Sequence, residues 1–157
     1  MYRIGVDLGG TNIAVGLVDD SCHIVTKSTL PTGAERPGEA IVDDIACLCK
    51  KVCADAGVLA GEIKSVGIAT PGIANNAAGR VEYANNLPFR RFPITELLRE
   101  RINVDEIYVE NDANAAAWGE AVAGAAKGTS NSVMITLGTG VGGGVIIDNK
   151  IYTGSNC

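Results

Sequence analysis

The sequence predicts an α/β fold built around one mixed β-sheet. Three apolar segments separated by short turns open the chain, at residues 2–7, 13–18 and 24–30, as in a three-stranded meander. Predicted strands and helices alternate after that, which is typical of parallel crossovers. A strand, a Gly/Thr-rich turn and a second strand then recur, so that an offset of 129 residues brings Gly9 onto Gly138.

The first predicted helix lies between two residues with defined backbone preferences. Pro37 suits the first turn of a helix, and Gly57 suits its end. Four apolar residues recur between them at helical spacing and form one face: Ile41, Ile45, Leu48 and Val52.

The later elements alternate in type. Residues 65–69, 80–83 and 106–109 are predicted strands. A second helix begins near Pro93, and the alanine-rich residues 113–126 form a third, because alanine is the strongest helix former. The apolar face of the second helix comprises Ile94, Leu97, Leu98 and Ile102.

The resulting order, β-β-β-α-β-α-β-α followed by β-β, is that of a ribonuclease-H-like unit and the start of another. We predict that residues 1–127 form a domain with a mixed five-stranded sheet and flanking helices. Residues 128–157 would form the opening β-hairpin of a second such domain, with the polar connector 127–131 at the boundary.

Composition and charge exclude several classes of function. The 157 residues are 46% hydrophobic and carry a net charge of −5 without any Lys/Arg-rich run, which argues against nucleic-acid and membrane partners. Met1 leads directly into a strand, and no apolar run approaches the roughly 20 residues of a membrane helix, so we expect a cytoplasmic protein. The odd number of cysteines argues against a disulfide framework, and small helix side chains are favoured over a metal site at Cys47, Cys49 and Cys53.

The turn between the first two strands is the strongest local signal for a binding site. Gly9 and Gly10 let the backbone approach an anion closely, and consecutive N–H groups in such a turn can bind it. Thr11 and Asn12 add side-chain donors, and Asp7 can hold Mg²⁺ directly or through water. The alternative is a plain hairpin turn, which the same residues favour.

The second copy of the turn makes plain turns less favoured. It contains Gly138, Thr139 and Gly140, and three further glycines follow at residues 142–144. Glycine weakens a strand, so this density suggests the close approach of a ligand. Neither copy is a Walker A loop or a Rossmann fingerprint, because no Lys-Ser/Thr pair follows and neither turn opens into a helix.

Two further segments carry candidate functional side chains. Asp112 lies between a strand and the alanine-rich helix, where it could be a helix cap or a general base for a substrate hydroxyl oriented by Asn111. The loops at residues 70–73 and 85–88 form a further candidate, because the amide side chains of Asn85 and Asn86 suit sugar hydroxyls, although Asn and Pro also simply make turns.

These segments together resemble the ROK family of sugar kinases and sugar-responsive repressors, and look most like its glucokinase-type members. The resemblance covers essentially the whole chain and rests on three motifs: Asp7-Leu8-Gly9-Gly10-Thr11-Asn12, Glu110-Asn111-Asp112-Ala113-Asn114-Ala115, and Leu137-Gly138-Thr139-Gly140-Val141-Gly142-Gly143-Gly144. It implies the actin/hexokinase architecture, with ATP and sugar bound between two ribonuclease-H-like domains.

The resemblance also implies roles for individual residues. Asp7 would serve Mg²⁺, and Asp112 would be the base for the 6-hydroxyl of a hexose. The ATP phosphates would contact Gly9, Gly10, Thr11, Asn12, Gly138, Thr139 and Gly140. The sugar would contact Gly72, Ile73, Asn85, Asn86, Asn111 and Asp112. Glucose is the favoured hexose, with N-acetylmannosamine, fructose and allose as alternatives.

The chain departs from the family pattern after Tyr152. Family members continue into a Glu-x-Gly-His segment, a cysteine-rich zinc motif and most of a second domain, none of which is present in the sequence. We therefore expect an inactive N-terminal portion of a kinase, whose unpaired hairpin is disordered or pairs with another chain, as in a homodimer. The alternatives are a repressor, which the acidic chain and the absence of a helix-turn-helix disfavour, and a non-catalytic sugar-binding domain.

Overall fold

The computed structural model describes residues 1–138 and 140–154. Its helices are α1 (Gly38–Ala56), α2 (Ile94–Arg99) and α3 (Asp112–Ala123). Its strands, in chain order, are β1 (Tyr2–Leu8), β2 (Asn12–Val18), β3 (Ile24–Pro31), β4 (Ile63–Thr70), β5 (Ile73–Asn75), β6 (Arg80–Tyr83), β7 (Arg90–Phe92), β8 (Glu106–Asn111), β9 (Ser132–Leu137), β10 (Val141–Ile147) and β11 (Lys150–Ile151). Within the described part of the chain, no helix has both the length and the apolar character needed to cross a membrane.

The chain divides into two compact units, Met1–Glu110 and a second that begins at Asn111. Helix α3 belongs to the second unit because it packs against β9 and β10. This division falls earlier than the domain boundary expected at residue 127. The assignment of residues 1–127 and 128–157 to two domains stays a prediction.

The first unit contains the predicted mixed five-stranded sheet, in the order β3-β2-β1-β4-β8. Strand β1 is antiparallel to β2 and parallel to β4. Alternate residues of β1, namely Ile4, Val6 and Leu8, point into the core, where α1 packs over the sheet. The residues between them, including Asp7, lie on the opposite, exposed face.

The helices of the first unit follow the predicted pattern, with one difference in length. Helix α1 ends at Gly57 in the left-handed conformation (φ 67°), and its four predicted apolar residues are fully or almost fully buried. Helix α2 ends at Arg99, short of the predicted Ile102. Ile102 is nevertheless buried, so the apolar spacing identified a core residue rather than a further helical turn.

A small sheet of β5, β6 and β7 was only partly predicted, since the sequence indicated β6 alone. Strands β5 and β7 have three residues each, too few to show a clear alternation. Strand β7 is held by a stacked pair of rings, Phe89 and Phe92, whose centroids lie 4.4 Å apart. This sheet carries the loop between β6 and β7.

The second unit consists of α3 and a three-stranded sheet in the order β11-β10-β9. It therefore exceeds the predicted hairpin. The strand β11 follows a tight turn at Asp148 and Asn149, which both have positive φ. One face of the sheet packs on α3, and the other exposes large apolar side chains: Val133, Ile135, Leu137 and Val141.

Candidate functional site

The turn that joins β1 to β2 is closed by a hydrogen bond from the Gly9 N–H to the Asn12 carbonyl, 2.9 Å long. Leu8 and Ile13 form the last pair of the two strands and are fully buried. Burial of this pair fixes the position at which the chain leaves the sheet. The turn therefore rises from a rigid strand end, as a preorganised binding loop requires.

A residue that the sequence did not indicate supports this turn from below. Thr32, which is 0% exposed, donates its hydroxyl to the Gly9 carbonyl at 2.7 Å and its N–H to the Thr11 carbonyl at 2.8 Å. It reaches the turn because β3 pairs with β2, which brings Pro31 opposite Asn12. Only this strand pairing identifies Thr32 as a support of the turn, because a threonine that follows a strand is not a distinctive sequence signal.

Asp7, the predicted Mg²⁺ residue, lies close to the turn in the chain. It lies at the end of β1, on the exposed face, two residues before the turn. Mg²⁺ in nucleotide sites is commonly held by one or two carboxylates together with water and phosphate oxygens. The exposed carboxylate of Asp7 fits that donor set, so it is the residue that would hold the ion.

The loop between β6 and β7 presents two asparagines to solvent. Leu87 and Phe89 are buried and anchor it in the core, whereas Asn85 and Asn86 are exposed. Backbone bonds from Ala84 to Phe89 and from Phe89 to Leu87 close the loop. The alternation of buried anchors and exposed amides gives the loop a fixed shape with hydrogen-bonding groups on its outer side.

The side chain of Asn85 is itself oriented. The Tyr83 hydroxyl donates to Asn85 Oδ1 at 3.1 Å, and the Arg90 guanidinium lies 4.9 Å from the centre of the Tyr83 ring. These residues border a cavity of about 320 Å³ lined by Tyr83, Ala84, Asn85, Leu87, Pro88, Phe89 and Arg90. The volume is at the low end of the range for small-molecule pockets.

Gly72 packs against the base of the same loop. It has φ +88°, and a Cβ placed on it would overlap the Tyr83 carbonyl oxygen and lie 2.8 Å from the Cα of Ala84. Ile73 follows and pairs with Tyr83 across β5 and β6. The structure therefore brings the predicted sugar residues Gly72 and Ile73 next to the loop that carries Asn85 and Asn86.

The candidate phosphate turn also touches this loop. A Cβ on Gly10 would lie 3.1 Å from the Cβ of Asn86 and 3.4 Å from its carbonyl oxygen. The contact is tighter than most side chains tolerate, so the two backbones can approach this closely only because residue 10 is glycine. Within the first unit, predicted phosphate and sugar residues therefore form one continuous surface.

In the second unit, Asn111 rather than Asp112 caps helix α3. Asn111 Oδ1 accepts hydrogen bonds from the N–H groups of Ala113 at 3.0 Å and Asn114 at 3.2 Å. Asp112 is the first helical residue and is exposed, with Oδ1 2.8 Å from the Ala113 nitrogen. The sequence left capping open for Asp112. In the structure Asn111 occupies the cap position, and Asp112 Oδ1 also accepts a hydrogen bond from the Ala113 N–H.

The glycines of β10 have a structural reason that differs from the expected ligand contact. A Cβ on Gly144 would lie 2.5 Å from both the Ala113 carbonyl oxygen and the Ala117 Cβ, and one on Gly142 would lie 3.1 Å from the Ala113 Cβ. Their absence of side chains lets α3 lie directly on the strand. The packing also places the beginning of α3, next to Asp112, against the strand that follows the second turn.

The second turn is open where the sequence predicts phosphate contacts. A Cβ on Gly138 or Gly140 would meet nothing within 4 Å. Thr139, the third predicted contact in this turn, lies outside the described residues.

The two sequence repeats do not fold identically. The Gly138 N–H bonds to the Gly140 carbonyl, and Leu137 pairs with Val141, so this turn is one residue shorter than its counterpart. Leu137 lies on the face of its sheet opposite α3 and is 82% exposed, whereas the corresponding Leu8 faces the core under α1 and is 0% exposed.

The whole chain is similar to known proteins. The chain matches the sequence profile of the ROK family over residues 3–157. It is 45% identical over 152 residues to a glucokinase of Streptomyces coelicolor, covering 96% of this chain and 45% of that protein.

Solved structures agree with this. A ROK family glucokinase from Streptomyces griseus, in complex with glucose and AMPPNP, has a TM-score of 0.88 at 38% identity, covering 99% of this chain and 47% of that one. A ROK hexokinase from Thermus thermophilus has a TM-score of 0.85 at 35% identity, covering 98% and 49%. The predicted α/β fold class is confirmed. The chain spans about half the length of the relatives it matches.

Proposed function

The chain belongs to the ROK family, and on that premise we propose that the protein to which it belongs transfers the γ-phosphate of ATP to the 6-hydroxyl of a hexose. Glucose is the first candidate, since a glucokinase of Streptomyces coelicolor shares 45% identity with the chain. The observation that carries the proposal is the contact between Gly10 and Asn86. A phosphoryl transferase needs its nucleotide and acceptor sites side by side, and this contact joins the two candidate sites.

We assign phosphate contacts to the turn from Gly9 to Asn12 in the first unit and, separately, to Gly138, Thr139 and Gly140 in the second. Glycine-rich turns bind phosphate through backbone N–H groups, which needs no basic side chain and suits a chain of net charge −5. Asp7 would hold Mg²⁺, which neutralises charge on the phosphates when bound.

We assign sugar contacts to Gly72, Ile73, Asn85 and Asn86 in the first unit and to Asn111 in the second. Asparagine side chains offer donors and an acceptor, as sugar hydroxyls require. The Tyr83 hydroxyl already bonds to Asn85 Oδ1, and the helix cap already engages Asn111 Oδ1. The side-chain nitrogen of Asn85 is suited to donate to a sugar hydroxyl.

Asp112 is the proposed general base. Its carboxylate would accept the proton of the 6-hydroxyl as that oxygen bonds to the γ-phosphorus, while the bond to the bridging oxygen breaks and ADP leaves. The positive end of the α3 dipole favours a negative charge at this helix position.

We further propose that the protein is cytoplasmic and that the 157 residues alone turn over substrate slowly. The alignments leave more than half of the related kinases without a counterpart in this chain. Positioning and charge stabilisation supply nearly all the catalysis in phosphoryl transfer, so a partial site loses most of the rate.

The test of the proposed function is product formation by the protein to which the chain belongs. Incubation with MgATP and each of glucose, N-acetylmannosamine, fructose and allose, followed by ³¹P NMR, should show a sugar 6-phosphate and ADP, with glucose converted fastest. ATP left intact with all four sugars would contradict the proposal.

A further inference from the structure

A relay of hydrogen bonds runs from helix α1 through the buried Thr32 to the turn at residues 9–12. Resting on the proposed function, we propose that Thr32 is a positioning residue for nucleotide phosphate binding, and that Arg36 and Asp44 hold Thr32 in place. Thr32 acts through the turn and is not itself proposed to touch the nucleotide.

The first step of the relay fixes two carbonyl groups of the turn. The Thr32 hydroxyl holds the Gly9 carbonyl, and the Thr32 N–H holds the Thr11 carbonyl. In a trans peptide the carbonyl and the following N–H point in opposite directions, and the described chain contains no cis peptide. The N–H groups of Gly10 and Asn12 are therefore directed away from Thr32.

The second step ties Thr32 to a long helix. Arg36 Nη2 donates to the Thr32 carbonyl at 2.7 Å and to Asp44 Oδ2 at 2.5 Å. The Arg36 Nε also donates to the Gly33 carbonyl at 3.3 Å. Because Asp44 lies on the 19-residue α1, the segment after β3 is attached to a long helix whose apolar face is buried in the core.

Burial makes the hydroxyl of Thr32 necessary rather than incidental. Thr32 is 0% exposed, so water cannot replace its hydrogen bond to Gly9. Without the hydroxyl, the Gly9 carbonyl would lose its partner and the peptide between Gly9 and Gly10 could rotate. Rotation of that peptide would turn the Gly10 N–H away from a bound phosphate.

The same chain offers a matched control. Thr95 is 5% exposed and donates its hydroxyl to the Gly79 carbonyl at 2.9 Å, in the turn between β5 and β6. Thr32→Val and Thr95→Val therefore remove the same buried bond from threonine to glycine. Only the first lies beside the proposed phosphate turn.

The experiment is titration calorimetry of the protein to which the chain belongs, with MgATP and with AMP. We expect Thr32→Val to weaken MgATP binding about 10-fold while AMP binding, which lacks the β- and γ-phosphate contacts, changes less than 2-fold. Thr95→Val should leave both affinities unchanged, and Thr32→Ser, which keeps the hydroxyl, should bind MgATP like the wild type. These expectations follow from loss of one oriented phosphate donor.

A second variant covers the case in which Thr32→Val does not fold. Arg36 has a half-exposed side chain, and Arg36→Gln removes the guanidinium that holds Thr32. This variant should therefore weaken the binding of MgATP but not that of AMP. Equal MgATP affinity in the wild type and the folded variants would overturn the inference alone. Failure of the wild type to bind MgATP would overturn the proposed function and this inference with it.

Discussion

Gly10 lies against Asn86, so that a methyl group added to its α-carbon would lie only 3.1 Å from the Asn86 Cβ. The pair joins the turn after β1 to the loop before β7, which are 76 positions apart in the chain. We predict that Gly10→Ala lowers the free energy of unfolding by about 1–3 kcal/mol, because the loop must shift to admit the methyl group.

Gly5→Ala is the control for that change, because a Cβ on Gly5 would meet nothing within 4 Å. It should alter stability by less than about 0.5 kcal/mol. Urea unfolding measures both variants. Equal free energies of unfolding for the two variants would show that the loop carrying Asn86 can shift without loss of stability.

In the second unit, substitutions at Gly144 and Gly138 distinguish a role in helix packing from a role in phosphate binding. Gly144→Ala places a methyl group against the Ala113 carbonyl and should destabilise the protein by about 1–3 kcal/mol. Gly138→Ala meets no neighbour, so it should keep the stability but weaken MgATP binding if this turn contacts phosphate. Thermal unfolding and MgATP titration of both variants check this, and the reverse pattern would contradict the assignment.

Substitutions likewise distinguish the role of Asp112 as the proposed base from that of Asn111 as the helix cap. Asp112→Asn in the protein to which the chain belongs should lower kcat by about 10²- to 10⁴-fold with little change in the KM for glucose, because only proton transfer is lost. Asn111→Asp retains the cap oxygen, whereas Asn111→Ala removes it and should cost about 1 kcal/mol of stability. Full activity of Asp112→Asn would exclude Asp112 as the base.

The buried thiol of Cys49 predicts a loss of stability in alkaline solution. Burial, with a smaller contribution from Cys53, raises the pKa of the Cys49 thiol from 9.0 to about 12. The unfolded chain therefore ionises first, so the contribution is complete below pH 9 and is lost as the pH rises towards 12. At pH 10 the loss is about 1.4 kcal/mol.

Comparison of urea unfolding at pH 8 and pH 10 checks this prediction. Cys49→Ala should lose about 1.4 kcal/mol less than the wild type over this interval. Cys47→Ala, at an exposed position of the same helix, should lose as much as the wild type. Identical losses in all three proteins would show that Cys49 ionises as easily in the folded state.

The exposed apolar face of the β9–β10 sheet predicts association between copies of the chain. Large exposed apolar patches mark interaction sites, and Ile135 and Leu137 are 67% and 82% exposed. Ile135→Lys should reduce the concentration-dependent mass seen by sedimentation velocity. Leu59→Lys, at an isolated side chain that is 73% exposed, should not. A monomeric wild-type chain at all concentrations would refute the prediction of a homo-oligomer.

Local patterns in the sequence were sufficient for the five-stranded sheet, the bounds of α1 and the family. Alternating burial along β1 and the apolar face of α1 depend on short-range periodicity, and the glycine-rich turns depend on backbone preferences of single residues. These properties are encoded within a few neighbouring residues, so they can be predicted from the sequence.

Only the tertiary structure decided which distant residues share a task. The contact of Gly10 with Asn86, the support of Gly9 by Thr32 and the packing of Gly144 on Ala113 depend on strand pairing and helix placement. The same glycine-rich pattern serves a turn in one copy and helix packing in the next. Leu137 is exposed where the corresponding Leu8 is buried, because α3 packs on the opposite face of its strand pair. These properties depend on contacts between residues that are far apart in the chain, so local sequence patterns do not predict them.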